Sequence, residues 1–323
     1  HRTHKLDEVN EKLIGESVTL AGWVDTVRDH NNVLFIDLRD RYGKVQCVIL
    51  KKNEDFGVAK GLSVESCVKL TGSVGARPGG SEKEDLVSGK VEVKIDKLEV
   101  LSAAGPLPYM INNEDVNEDT KMKYKYLNLR GDKMKKNLMA RHKAINFIRQ
   151  FLDKEGFMEI QTPILTKSSP EGARDYLVPS RNHAGKFYAL PQSPQQYKQM
   201  LMVGGIDKYF QIAPCFRDED ARADRCPGEF YQLDMEMSFI ERDDILDLTE
   251  KLMIDLVKEV FPEKKITQVP FPRIPYDEAM KKYGRDNPDI RKNKDDPNEL
   301  GFCWVVDFPL FAEQKEEDFF HGA

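Results

Sequence analysis

The sequence predicts an α+β protein of two domains, an all-β domain followed by a domain that mixes helices and strands. Three observations indicate this. The 323 residues exceed what one ordinary domain needs. Residues 1–104 carry short runs of β-branched and aromatic residues, separated by turns rich in glycine, asparagine and aspartate. Beyond residue 130 the chain combines helical and strand patterns, which favours helices around an antiparallel sheet.

The first domain, residues 1–104, is predicted to contain five strands, at residues 18–24, 33–38, 44–50, 67–74 and 91–101. Five short strands fit an OB-fold β-barrel, which binds oligonucleotides across the face of its second and third strands. An SH3-like barrel and a small β-sandwich fit the same strand count, so these two architectures remain alternatives.

Residues 105–130 are interpreted as a linker or hinge. Pro106 and Pro108 stand near its start, and a polar and basic stretch follows them. The second domain is assigned to residues 131–323.

The second domain is predicted to begin with a helix over residues 138–157. Its apolar side chains recur at helical spacing and share one face: Ala144, Ile145, Ile148, Phe151 and Leu152. Gly156 suits the left-handed position that ends such a helix. Residues 158–165 are predicted to continue as a strand, in which Pro163 indicates an edge or an interface.

Composition and charge narrow the class of protein. Charged residues make up 32%, hydrophobic residues 40%, and the formal net charge is −6. No apolar run approaches the length of a membrane span and the first residues contain no signal-peptide core, so we expect a cytoplasmic protein without membrane contact. The five cysteines are widely spaced and form no CxxC pair, which disfavours a disulfide framework and a zinc site.

Residues 121–143 are strongly basic, with aromatic residues between the charges. Such a segment can contact phosphates even in a chain whose net charge is negative. A solvated helix face would carry the same charges, and both interpretations stay open.

Two strand patterns, at residues 208–216 and 229–240, are joined by a charged loop and predict a long hairpin. Arg217 leaves the first strand, and Glu219 follows two residues later. A guanidinium binds phosphate oxygens bidentately, while a carboxylate accepts from an amino or ribose group. Phe230 on the returning strand offers a stacking face for a base. The alternative is an exposed hairpin with a solvated charge run.

Three more segments carry a recognisable pattern: the helix–strand joint at 156–163, the loop Ser-Pro-Glu-Gly-Ala-Arg-Asp-Tyr at 169–176, and Gln-Ser-Pro-Gln-Gln-Tyr-Lys at 192–198. Together with the hairpin, and in this order, they resemble the class II aminoacyl-tRNA synthetases. Among these the chain is most similar to the bacterial-type aspartyl-tRNA synthetases. The joint then corresponds to motif 1 of the class and the hairpin to motif 2.

The resemblance implies an aspartate–tRNA ligase, which activates L-aspartate with ATP and transfers it to the 3′ end of tRNA. The residues that match aspartate-binding positions are Glu171, Ser193, Gln195, Lys198, Arg217 and Asp234. Those that match ATP-binding positions are Arg217, Glu219 and Phe230, with Arg217 as the catalytic candidate. Lys198 would receive the side-chain carboxylate of aspartate. Glu171 and Asp234 would bind the ammonium group of aspartate.

The resemblance also assigns tRNA anticodon contacts to Arg28, Phe35, Gln46 and Glu92 in the first domain. Phe35 would stack on a base, and polar neighbours would read base edges. Because Leu34, Phe35 and Ile36 are consecutive and one face of the strand must be buried, a place in the barrel core is the alternative for Phe35.

The implied cofactors are ATP, as a substrate, and Mg²⁺, for which no ligand is assigned in this chain. The implied partners are tRNA-Asp, with tRNA-Asn as a second candidate, and a second copy of the chain in a homodimer built on motif 1.

The chain departs from the family pattern in three places. Gly228 makes the motif 2 loop one residue longer than usual. Only residues 292–303 stand where bacterial members carry an inserted domain, and the glycine-rich motif 3 does not appear before residue 323. The sequence therefore predicts a chain truncated before motif 3 and lacking the inserted domain. A catalytically inactive RNA-binding paralogue and an asparaginyl- or lysyl-tRNA synthetase remain alternative functions.

Overall fold

The computed structural model describes residues 1–84, 86–169, 171–220 and 228–311. The chain forms two compact units, His1–Asn137 and Leu138–Ala323. A closed β-barrel dominates the first unit, whereas the second contains a three-stranded sheet, helices and several short strand pairs.

Five strands close into the barrel: β1 (Ser17–Asp29), β2 (Val33–Arg39), β3 (Lys44–Leu50), β4 (Cys67–Ala76) and β5 (Val91–Ser102). Their order is β1-β2-β3-β5-β4, and β4 pairs with β1 to complete the circle. The β3–β5 pair is parallel and the other pairs are antiparallel. A short helix, α1 (Phe56–Lys60), connects β3 to β4. The barrel confirms the five predicted strands, and the sandwich alternative is wrong.

The barrel core forms because alternate side chains of each strand point inward. Its fully buried members include Leu20, Val24, Leu34, Ile36, Leu38, Val45, Ile49, Val68, Leu70, Val91 and Val93. Burying each such side chain contributes roughly 1.5–3 kcal/mol. Gly22 allows β1 to approach β2 closely, because a Cβ at this position would lie 2.5 Å from the carbonyl oxygen of Arg39.

Residues 105–130, interpreted above as a linker, contain two short helices, α2 (Glu118–Lys123) and α3 (Lys125–Arg130). Arg130 holds this segment against the barrel. Its Nη1 donates to Glu65 Oε2 at 2.7 Å, and its guanidinium lies 5.2 Å from the centre of the Trp23 ring. Glu65 is 4% exposed and also pairs with Arg39, so its carboxylate is shared by two arginines.

The long helix α4 (Asp132–Lys154) begins earlier than the predicted residue 138 and ends just before Gly156, whose φ is +83°. In the second unit its Phe151 and Leu152 join a core cluster that also contains Phe157, Phe210 and Leu252. Phe151 and Leu152, the buried residues of α4, therefore both belong to the predicted apolar face.

The predicted strand at 158–165 is wrong in length, because only β6 (Met158–Glu159) pairs with the sheet. Beyond it, the backbone amide and hydroxyl of Thr162 donate to the side chain of Gln211 instead of to a neighbouring strand. Pro163 has no amide hydrogen to contribute to a sheet.

The central sheet has the order β10-β9-β6, with β9 at Lys208–Phe216 and β10 at Glu229–Met237. The β9–β10 pair is antiparallel, which confirms the predicted hairpin, and β6 adds a parallel edge. The loop at 221–227, which includes Cys226, lies outside the described residues. β10 ends three residues earlier than the pattern predicted, and Phe239 just beyond it has a φ of +60°.

The remaining elements of the second unit are β7 (Leu177–Pro179), β8 (Phe187–Ala189), α5 (Gln195–Val203), α6 (Arg242–Val260), β11 (Lys265–Ile266), β12 (Arg273–Pro275), α7 (Tyr276–Tyr283), β13 (Glu299–Leu300) and β14 (Trp304–Val306). β7 and β8 form a hairpin, while β11 pairs with β13 and β12 with β14. Among the described residues, no helix is both long enough and apolar enough to cross a membrane.

Candidate active site and nucleic-acid face

The β9–β10 hairpin separates apolar from charged side chains by strand alternation. Leu233, Met235 and Met237 of β10 pack on the core of the second unit. Asp234 and Glu236 lie on the other face of β10 and contact Lys198 of α5. The same alternation that builds the core therefore presents two carboxylates to one lysine.

Lys198 lies between these two carboxylates. Its Nζ donates to Asp234 Oδ1 at 2.9 Å and lies 3.1 Å from Glu236 Oε2. The side chains of Lys198 and Asp234 are only 13% and 11% exposed. Burial by itself would lower the pKa of Lys198, but the two carboxylates outweigh burial and raise it. Lys198 is therefore charged at neutral pH.

Two polar atoms of this region are buried without a hydrogen-bond partner among the described residues, Asp234 Oδ2 and Arg217 Nε. Buried polar atoms are nearly always satisfied, and an exception calls for a cause such as a ligand site. The carboxylate oxygen can accept from a cationic donor, and the guanidinium can donate to an anion. Asp234 thus offers a site for a cationic group, and Arg217 a site for an anionic group such as a carboxylate or a phosphate.

The backbone of Arg217 is held by its amide, which donates to the carbonyl oxygen of Gly228 at 2.8 Å. Its guanidinium carbon lies 5.0 Å from the centre of the Phe230 ring. Glu219, two residues along, is exposed. The structure therefore brings together the arginine and the aromatic ring that the sequence assigned to a nucleotide, and leaves Glu219 at the surface.

Residues 171–176, here named the Glu171 loop, contact the start of α5. Ser193 Oγ donates to Glu171 Oε2 at 2.5 Å, and Ser169 Oγ donates to Glu171 Oε1 at 3.2 Å. Gln195 is exposed, and its backbone amide donates to Ser193 Oγ at 3.3 Å. A small cleft here is lined by Thr166, Lys167, Ser169, Glu171, Pro191, Ser193, Gln196 and Tyr197.

Cys215 is a buried thiol on β9 with charged surroundings. Burial raises the pKa of Cys215 to about 11; the charge of Arg217 lowers this pKa, and the charges of Asp234 and Glu171 raise it further. The arginine and the two acids therefore all lie within electrostatic range of this sulfur atom.

Residues that sequence reasoning missed also hold this region together. Gln192 is 1% exposed, exchanges two hydrogen bonds with the backbone of Ala173, and donates to Asp175 Oδ1 at 2.6 Å. Glu236 shares Lys198 with Asp234. The two-residue spacing of Asp234 and Glu236 was the signal for Glu236, because side chains two apart on a strand share a face.

On the barrel, three of the four predicted anticodon residues form one hydrogen-bonded chain. Arg28 Nη2 donates to Gln46 Oε1 at 3.1 Å, and Gln46 Nε2 donates to Glu92 Oε2 at 2.9 Å. Both Nη atoms of Arg28 also donate to the carboxylate of Asp37, each at 3.0 Å. Asp37 was missed by the sequence analysis, although it stands two residues after Phe35 on β2.

Phe35 lies directly opposite Arg28 in the β1–β2 pairing. Its neighbours Leu34 and Ile36 are fully buried in the core, whereas Phe35 is only half-buried. The alternation of the strand therefore puts Phe35 on the outer face of the barrel. Its ring meets the edge of His30 at a centroid distance of 5.4 Å.

Two family models match the chain. The model for tRNA synthetases of class II (D, K and N) matches residues 117–321, and the model for the OB-fold nucleic acid binding domain matches residues 18–101. The chain belongs to the class II tRNA synthetases. The OB-fold match also decides between the barrel architectures left open by the strand count.

Curated relatives of this class II synthetase include the aspartate–tRNA(Asp/Asn) ligase of Pelagibacter ubique, which is 53% identical over 292 residues. That alignment covers 90% of this chain and 49% of the relative. The ligase of the same name from Bradyrhizobium sp. is 51% identical over 98% of this chain and 54% of its own length. The chain therefore spans about half the length of the curated relatives it matches.

Solved synthetase structures are similar in fold. The asparaginyl-tRNA synthetase of Pyrococcus horikoshii, complexed with asparaginyl-adenylate, has a TM-score of 0.77 and 30% identity, covering 86% of this chain and 66% of that one. The aspartyl-tRNA synthetase of Entamoeba histolytica has a TM-score of 0.70 and 25% identity, with 86% and 62% covered.

Proposed function

We propose that the protein is an aspartate–tRNA ligase. It joins the carboxylate of L-aspartate to the α-phosphorus of ATP, which releases pyrophosphate. A ribose hydroxyl at the 3′ end of tRNA then attacks the aspartyl carbonyl and releases AMP. The relatives at about 50% identity support this choice over an asparaginyl- or lysyl-tRNA synthetase, because they are named aspartate–tRNA(Asp/Asn) ligases.

The observation that carries the proposal is that two polar atoms of the β9–β10 hairpin are buried without a partner among the described residues, namely Arg217 Nε and Asp234 Oδ2, the second of which belongs to the carboxylate that pairs with Lys198. Asp234, together with Glu171, would accept from the ammonium group of aspartate. Arg217 would bind the α-carboxylate and the α-phosphate, and so neutralise charge that develops as the adenylate forms. Ser193 and Gln195 would complete the contacts to the amino acid.

Lys198 would select aspartate by its side-chain carboxylate. Breaking a buried ion pair costs roughly 3–5 kcal/mol, which would separate aspartate from asparagine by about two to three orders of magnitude. In this structure Asp234 and Glu236 already neutralise Lys198. The discrimination from Lys198 alone is therefore smaller than that range.

ATP would bind against the motif 2 hairpin, with its adenine on Phe230 and with Glu219 as a further contact. The described residues contain no cluster of three or more histidine, cysteine or acidic side chains placed to hold a metal ion. Mg²⁺ would therefore reach the described part of the site on the phosphates of ATP, a common mode for this cation. Bound there, the ion would supply charge neutralisation.

The barrel would bind the anticodon of tRNA-Asp through Phe35, Arg28, Gln46 and Glu92. Acceptance of tRNA-Asn as well is part of the proposal, because the names of the relatives include both tRNAs. A cytoplasmic location follows from the proposed role in protein synthesis.

A homodimer is also proposed. A cleft on the motif 1 elements of the second unit combines apolar and basic side chains, and its lining includes Arg141, Ile145, Arg149, Ile164 and Tyr231. Ile164 and Tyr231 are exposed by 44% and 51%, so the cleft presents apolar surface that a second copy of the chain would cover. Sedimentation of the full-length protein tests this part of the proposal.

The decisive experiment is amino-acid-dependent exchange of pyrophosphate into ATP by the full-length gene product. We expect exchange with aspartate and none with asparagine or lysine. Exchange with asparagine or lysine instead would overturn the assignment. No exchange with any amino acid, while tRNA binding is retained, would favour the inactive RNA-binding alternative.

A further inference from the structure

Gly228, the residue that lengthens the motif 2 loop, is buried and has a φ of +81°. A Cβ at this position would overlap the hydroxyl oxygen of Tyr176, and it would lie 3.1 Å from Cζ and 3.3 Å from Cε2 of the same ring. The ring of Tyr176 therefore lies directly on the Cα of Gly228. The left-handed backbone favours glycine here, and a Cβ would in addition displace the hydroxyl end of the Tyr176 ring.

Gly228 is also hydrogen-bonded to the backbone of Arg217, the catalytic candidate. Its carbonyl oxygen accepts from the amide of Arg217 at 2.8 Å, one residue beyond the strand pairing of β9 with β10. Any shift of Gly228 would thus act on the backbone of Arg217. Tyr176 belongs to the other side of the site, because it ends the Glu171 loop just before β7.

The Glu171 loop has a second attachment to motif 2. The amide of Asp218 donates to the carbonyl oxygen of Arg174 at 2.9 Å, and Arg174 Nε donates to the carbonyl oxygen of Asp218 at 3.2 Å. On its far side, the carbonyl oxygen of Tyr176 accepts from the amide of Leu190 at 2.9 Å. The loop that carries Glu171 is therefore attached to the residues that flank Arg217.

We propose that Tyr176 and Gly228 are positioning residues that couple the Glu171 loop to the backbone of Arg217. The position of the loop on the amino-acid side of the site then depends on the position of the hairpin on the nucleotide side. The assignment of the two sides to aspartate and ATP rests on the proposed function. The contact itself rests on the geometry alone. A substitution at Gly228, in the nucleotide hairpin, is then expected to disturb the amino-acid loop.

Hydrogen exchange of backbone amides in the full-length protein tests the coupling without reference to activity. In Gly228→Ala we expect the amides of Asp218 and Leu190 to exchange roughly tenfold faster, because the displaced ring releases the loop. Gly185→Ala is the matched control. Gly185 has a φ of +74° in the β7–β8 turn, but a Cβ there meets no atom within 4 Å. The Gly185→Ala variant measures the effect of alanine at a positive φ alone, and the exchange rates of the Asp218 and Leu190 amides should not change in it.

A double-mutant cycle identifies the ring as the cause. Once Tyr176→Ala has removed the ring, adding Gly228→Ala should accelerate exchange at Asp218 and Leu190 by a clearly smaller factor than it does in the wild type. Equal factors in both backgrounds, or unchanged exchange in Gly228→Ala, would overturn the coupling.

The activity readout is the Michaelis constant for aspartate in pyrophosphate exchange, which Gly228→Ala should raise by roughly tenfold. A rise confined to the constant for ATP would overturn the coupling. If the wild-type protein activates no aspartate, the proposed function fails, and the hydrogen-exchange result still decides the Tyr176–Gly228 contact.

Discussion

The charged network on the barrel and the one around Lys198 are built from similar residues but differ in how completely they are satisfied. On the barrel, both Nη atoms of Arg28 bind Asp37, and one of them also reaches Gln46. In the second network, Asp234 Oδ2 is buried without a partner among the described residues, and so is Arg217 Nε on the same hairpin. A satisfied network maintains the shape of a surface, whereas a buried unsatisfied one is costly unless a ligand completes it.

The largest effect is expected at Arg217. Arg217→Ala should lower aspartate-dependent pyrophosphate exchange by about 10²–10³-fold, because one preorganised donor to the developing charge is removed. The free energy of unfolding should change little, since the guanidinium has an unpartnered Nε in the free protein. Exchange kinetics and denaturant unfolding of the full-length protein measure the two quantities. An active Arg217→Ala variant would contradict the assignment to motif 2.

A somewhat smaller and more selective effect is expected at Lys198. Lys198→Leu removes the cation and leaves Asp234 and Glu236 facing each other, so the Michaelis constant for aspartate should rise by roughly tenfold or more but by less than about 10²-fold. The constant for ATP should rise much less. Steady-state exchange kinetics with each substrate varied in turn provide the measurement. Lys186→Leu, at an exposed lysine of the same unit, is the control for loss of a charge. Equal losses for aspartate and ATP would count against Lys198 as the specificity cation.

Phe35 tests the binding role of the barrel face. Phe35→Ala should raise the Michaelis constant for tRNA by roughly tenfold, because stacking of one base contributes about 1–3 kcal/mol, and adenylate formation should be unchanged. Leu34→Ala is the matched control on the inner face, where the free energy of unfolding should fall by about 2–5 kcal/mol. Aminoacylation kinetics and thermal unfolding separate the two variants. If Phe35→Ala destabilises the barrel as much as Leu34→Ala does, the assignment of Phe35 to the outer face is wrong.

The smallest effect is expected at Asp37. Asp37→Asn weakens the ion pair between a buried carboxylate and the partly exposed guanidinium of Arg28, so the free energy of unfolding should fall by about 1–2 kcal/mol, and somewhat less at high salt. Urea unfolding at low and high salt gives this difference. Asp234→Asn should behave differently and impair aspartate use, because one of its oxygens has no partner among the described residues and, in the proposed function, accepts from the ammonium group of aspartate. Similar behaviour of the two variants would remove the contrast between the networks.

Much of the fold followed from local patterns. The barrel strands and the β9–β10 hairpin were predictable because side-chain alternation and turn residues act over a few positions. The segment after β6 was not, because its Thr162 bonds to the side chain of Gln211, about fifty residues away in the chain. The sequence Leu34-Phe35-Ile36 also left the position of Phe35 open, since three consecutive apolar residues do not indicate which face of the strand is buried.

Sequence alone determined the two-domain order, the OB-like strand pattern and the residue types of the candidate site, because these depend on local periodicity and on side-chain chemistry. Tertiary structure decided which of those groups have hydrogen-bond or ion-pair partners. Lys198 meets Asp234 and Glu236 only when α5 packs beside β10, and Tyr176 meets Gly228 only when the Glu171 loop lies against the hairpin. Hydrogen bonding and burial depend on partners that are distant in the chain, so the unpartnered atoms of Arg217 and Asp234 became visible only in the folded protein.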